Sequence, residues 1–111
     1  MTDADGKLGA FRALVDRVLR GDGRASAELR GHAFRNEGLS PPLDVLVGKV
    51  VDRPSEVSEA DLALVAAAGY SEDQVFELVV CAAVGQSDRL YAAGLAALAE
   101  ATAGEGPEHA S

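Results

Sequence analysis

Apolar positions recur along this chain at helical spacing nearly from end to end. Leu8, Phe11, Leu14, Val15, Val18 and Leu19 follow one another at intervals of 3, 3, 1, 3 and 1, which lays one stripe along a helix of about four turns. Gly21-Asp22-Gly23 ends it. A second helix is predicted from about Ser26 to Asn36, with Ser26 as its cap, Leu29, Ala33 and Phe34 turned inward, and Gly38 as its stop. Leu43, Leu46, Val47, Val50 and Val51 form a third stripe. That helix is placed from Ser40, with Pro41 at the first helical position, where the missing N–H costs nothing. Ser58-Glu59-Ala60-Asp61 and Ser71-Glu72-Asp73-Gln74 each read as a capping box, opening a fourth and a fifth helix. From Leu78 to Val84 the fifth is apolar on every side, the mark of a buried segment. Gly85-Gln86 reads as a break, and Ser87 as the cap of a sixth, alanine-rich helix to about Thr102. The β-branched residues fall inside helical stripes, so no strand is predicted.

The expectation is an all-α domain of about six helices over residues 1–103, followed by a disordered acidic tail over 104–111. The apolar fifth helix and the small-residue sixth exceed what so short a chain can bury alone. A homo-oligomer that covers the remainder is therefore expected.

Composition narrows the chemistry. The chain has 111 residues, a net charge of −8 and a single Cys, which excludes an internal disulfide and a cysteine-rich zinc site. Such a balance suits neither nucleic acid, which needs clustered Lys and Arg, nor a membrane span, since no apolar run reaches about 18 residues. The acidic start, Met1-Thr2-Asp3-Ala4-Asp5, lacks the basic region of a signal peptide, so a cytoplasmic protein is expected. The charge is unevenly spread: residues 1–53 hold nine of the ten basic residues and are +1, whereas residues 54–111 hold only Arg89 and are −9.

The run Ala67-Ala68-Gly69-Tyr70-Ser71-Glu72-Asp73-Gln74-Val75-Phe76-Glu77, then an apolar stretch, then Asp88-Arg89-Leu90, resembles the carboxymuconolactone decarboxylase and alkyl hydroperoxidase D superfamily over about residues 55–99. That resemblance implies an all-α fold that assembles through its apolar helices as a dimer, trimer or hexamer. The peroxidase branch carries Cys-x-x-Cys-x-x-x-His ahead of the Gly. Here Asp61 stands at the His, with Val57 and Pro54 at the cysteines. A register one residue along offers Leu62, Ser58 and Ser55. Neither register supplies a thiol, and a dithiol peroxidase needs two, so that activity is not expected.

Two readings follow. In one, the chain is a non-catalytic oligomeric binding or scaffold protein. In the other, it is a cofactor-free decarboxylase or isomerase acting on a small organic acid or lactone, with Asp61, Glu77, Arg89 and His32 as its polar groups. Neither reading calls for a cofactor or a metal. Asp61 stands at the acid/base position that the decarboxylase branch fills with His, and it equally fits position N3 of a capping box. Glu77 matches an acidic position of that branch. Arg89 lies two residues into the predicted sixth helix, where the dipole disfavours a cation. It is read either as an anchor for an anionic ligand or as a salt bridge to Glu77 or Asp73. His32 has a suitable pKa range for proton transfer. Cys81, mid-helix among apolar neighbours, reads as an inert core thiol.

Overall fold

Three serines start helices as their spacing dictates. Ser26 accepts from the Leu29 amide at 3.1 Å and caps α2, Ala27–Arg35. Ser58 caps α4, Glu59–Ala67, in a complete box with Asp61. Ser71 and Gln74 exchange the same reciprocal pair at the head of α5: the Gln74 amide donates to Ser71 Oγ, and the Ser71 amide to Gln74 Oε1. These are local bonds between residues three apart, so each forms wherever its tetrapeptide occurs.

The structure, a computed structural model, describes residues 2–104. Helix α1 spans Thr2–Arg20, α3 spans Leu43–Asp52, a single 3-10 turn covers Pro54–Glu56, and α5 spans Glu72–Gly104. Among the described residues there is no strand. The fold is all-α with five α-helices. Of the tail expected over 104–111, Gly104 belongs to α5, and 105–111 lie outside the described residues.

Two helix boundaries depart from the sequence reading. The third helix begins at Leu43, with Pro42 at its N-cap. Pro41 precedes another proline, whose ring disfavours the helical conformation in the residue before it. The Pro-Pro pair therefore forms a turn rather than a first helical position. The larger departure lies at Gly85-Gln86-Ser87, where no break occurs. The predicted fifth and sixth helices are one helix of 33 residues, about 50 Å long at 1.5 Å per residue. Gly85 is buried within it. A Cβ at that position would run into the Phe34 carbonyl oxygen at the end of α2. Glycine is there because two backbones approach, not because the helix stops.

The core lies where α2, α3 and α4 meet the first half of α5. Its fully buried side chains include Leu43, Leu46, Val47, Val65, Leu78 and Cys81, and each large aliphatic contributes about 1.5–3 kcal/mol by leaving water. Beyond Ala82 the core holds no further apolar side chain, and Gly85 is the last buried residue of α5 among those described. Helix α1 accompanies the second half of α5, and the two together extend from the body as an arm. The Cα radius of gyration is 17.8 Å and the principal extents are 63 × 28 × 21 Å, against a radius of about 13 Å for a compact chain of 100 residues. No helix of the described residues is long and apolar enough to cross a membrane.

Candidate functional site

Asp61, 8% exposed, is one of two buried charged residues among the described residues. Its Oδ2 accepts from the Ser58 amide at 2.9 Å. Lys49 Nζ, reaching across from α3, donates to both carboxylate oxygens at 3.0 and 2.9 Å. The lysine bond first, then the Ser58 amide, hold the Asp61 carboxyl below the usual carboxylate range. At neutral pH it is therefore an anion whose oxygens are already occupied. It ties α4 to α3. Lys49 had no signal in the sequence, because its partner is twelve residues away on another helix.

Glu77 sits on α5 facing the link between α1 and α2. Both its oxygens accept from the Arg24 amide, at 2.9 and 2.7 Å, and Oε1 also accepts from the Ala25 amide at 2.8 Å. Those backbone donors, Ala25 foremost, depress the Glu77 carboxyl. Gln74 Nε2 adds a bond to the Arg24 carbonyl oxygen at 3.2 Å. The close approach requires Gly23: a Cβ there would lie 2.7 Å from Glu77 Oε1. Glu77 thus clamps the entry to α2.

Arg89 makes no salt bridge to Glu77 or Asp73; its observed partners are a backbone carbonyl and a glutamine. It does not stand near a helix start, because α5 is continuous, and so the dipole penalty disappears. Nor does it pair with Glu77, which lies twelve residues earlier on the same helix, about 18 Å along its axis. Its Nη1 donates to the Phe34 carbonyl oxygen at 2.7 Å, and its Nε to Gln86 Oε1 at 3.2 Å. Phe34 is in the last turn of α2, where carbonyls lack helical partners and a cation is favoured. The lone cation of the acidic half is a C-terminal cap for a different helix.

His32 lies half-buried on α2. Its Nδ1 is 3.5 Å from Arg35 Nη2, and its Nε2 is 3.9 Å from Glu28. Cys81 is buried and free. Its Sγ donates to the Val18 carbonyl oxygen at 3.3 Å, and burial pushes its thiol pKa up. The second buried charge, Arg30, was not anticipated. It donates to the Val18 and Gly21 carbonyl oxygens at 3.3 and 2.6 Å, closing the end of α1. Its Nε is buried without a partner.

The four polar candidates therefore do not converge. Asp61 bridges α3 and α4, Glu77 faces the α1–α2 link, Arg89 faces the end of α2, and His32 packs half-buried against Gly38 beyond the end of α2. Each carboxylate spends its acceptors on structure.

What the molecule leaves unspent is apolar. Every residue of α5 from Arg89 to Thr102 is exposed, although Leu90 to Ala99 carries no charge. Leu90 and Leu98 are 63% and 64% exposed. Helix α1 covers one side only, through Phe11 against Tyr91 with ring centroids 5.8 Å apart.

Comparison with known proteins yields no matching family, no matching curated protein and no matching solved structure.

Proposed function

We propose that the chain is a non-catalytic, self-associating helical protein, an oligomeric binding or scaffold protein whose copies join through the arm of α1 and α5. The observation that carries this reading is the ten-residue uncharged run of α5 that lies open to solvent. A helix apolar on all sides is stable in water only when something covers it. Ala92, Ala93, Gly94, Ala96 and Ala97 present little bulk, so a facing helix can approach closely. Two arms laid together make a four-helix arrangement, the standard way to bury such stripes. The decarboxylase reading finds less support, since Asp61, Glu77 and Arg89 are already hydrogen-bonded to structural partners. The resemblance of residues 55–99 to the carboxymuconolactone decarboxylase superfamily enters the proposal as that of a divergent member without the Cys-x-x-Cys motif.

Sedimentation equilibrium tests it. The expected result is a mass of two, three or six times the 11.4 kDa chain, returning to one chain in Leu90→Glu/Leu98→Glu with unchanged helix content. A monomer at every concentration would overturn the proposal. So would turnover of a lactone or keto acid that is lost in Glu77→Gln while the fold is kept.

A further inference from the structure

A second apolar surface lies at the other end of α5. Helix α4 offers Glu59, Leu62, Ala63 and Ala66, and α5 offers Glu72, Val75, Phe76 and Val79. Both sets are spaced i, i+3, i+4, i+7, so each is one stripe two turns long. Each stripe has a glutamate at its N-terminal end and apolar residues after it. The two helices follow one another in the chain, yet they are not among the element pairs that pack closely. The inward side of α4 is spent on Asp61 and Val65, toward α3 and the core. Between the stripes lies an open cleft of about 750 Å³. Leu62 and Phe76, on its walls, are 43% and 69% exposed.

We propose that this groove seats an amphipathic helix of a different protein, one that carries Lys or Arg at the margins of its apolar stripe. Matched stripes at this spacing are how a helix is received in a groove. The charge follows from the lining, which holds two carboxylates and no base. Phe76 supplies the aromatic anchor that such contacts favour.

The chain's own segments do not fit. In α1, Phe11 packs against Tyr91 of α5 and Val18 packs against the core. The arm of α5 brings Asp88 and Glu100, with its one base, Arg89, spent on the Phe34 carbonyl, and residues 105–111 bring Glu105 and Glu108. All of these carboxylates repel Glu59 and Glu72. The groove also lies about 16 Å along α5 from the start of the exposed arm, measured from Val79 to Leu90, so association of the arms leaves it open.

Isothermal titration of the full chain with a synthetic Leu/Lys amphipathic helix of about four turns tests the assignment, with a Leu/Glu peptide of the same pattern beside it. The expected result is saturable binding of one Leu/Lys peptide per chain and none of the Leu/Glu peptide. Phe76→Ala should weaken binding about tenfold, which is about 1.4 kcal/mol. Glu59→Gln/Glu72→Gln should weaken it by a similar factor and flatten its salt dependence. Glu28→Gln/Glu100→Gln makes the same change in net charge elsewhere and should leave binding as it was. Phe76 is exposed, so its removal leaves the core intact. The proposal is overturned if neither peptide binds, if Phe76→Ala binds as the parent does, or if the two charge variants weaken binding equally. Saturable binding of dodecyltrimethylammonium without peptide binding would also overturn it, making the groove a site for a small hydrophobic cation.

Discussion

Arg89 on α5 donates through Nη1 to the carbonyl oxygen of Phe34 at the end of α2, 55 residues earlier in the chain. Helix α2 is only nine residues long, too short to hold itself in water, and this bond fixes its last turn to the longest element of the fold. Arg89→Ala should lower stability by about 1–2 kcal/mol, the low end for a hydrogen bond to a charged group because this one is exposed to water. Arg89→Lys should recover part of that, since a lysine offers charge without the planar fork. Urea melts of the three proteins decide it. If Ala and Lys behave alike, the charge at the end of α2 contributes nothing.

Gly85 and Gly48 make a paired test of why a glycine stands in a helix. Both are interior to their helices. A Cβ at Gly48 would meet nothing within 4 Å, whereas one at Gly85 would strike the Phe34 backbone. Gly48→Ala should stabilise by about 0.5–1 kcal/mol, because alanine loses less entropy in a helix. Gly85→Ala should destabilise by about 1–3 kcal/mol or more through overpacking. The two midpoints in one denaturant series should move in opposite directions.

The pH response follows from Asp61 and Glu77. Both carboxyls titrate lower in the folded chain than in the unfolded one, Asp61 through Lys49 and Glu77 through the amides of Ala25 and Arg24. The unfolded state then binds more protons, so stability rises with pH across that interval. The contribution is fully present above the ordinary carboxylate pKa of about 4 and is lost as pH falls through the depressed folded values. Glu77→Gln and Asp61→Asn should each lower stability at pH 7 and flatten its fall below about pH 4. Thermal melts between pH 7 and pH 3 check this. A parent and variant that lose stability in parallel would show that these bonds do not set the acid limb.

Local rules explain what was legible in the sequence. The caps at Ser26, Ser58 and Ser71 and the stripes of α1 and α3 depend on neighbours three or four residues away, and the all-α class follows from them. Gly85 marks the boundary of that legibility. A glycine in a helical pattern reads the same whether it ends a helix or admits a neighbouring backbone, and only the position of Phe34 distinguishes the two. Arg89 was anomalous for the same reason: its apparent place at a helix start came from the presumed break. Asp61 was readable as a cap but not as the partner of Lys49, because that pairing needs the angle between α3 and α4. The matched Glu59 and Glu72 stripes were present in the sequence. They acquire meaning only once the two helices are seen to stand apart.

Because α5 runs unbroken from Glu72 to Gly104, the groove at its head and the arm at its tail belong to a single rod. An α-helix resists bending, and kinks need a proline, a Gly/Ser pair, a bulge or an inserted side chain; α5 contains no proline, and its Gly85 and Ser87 lie within the unbroken helix. A tilt of about 5° at the groove would therefore swing the far end by about 4 Å over its length of about 50 Å. Anything seated against Phe76 would thus be geared to anything paired along Leu90 and Leu98, as the two ends of a lever are.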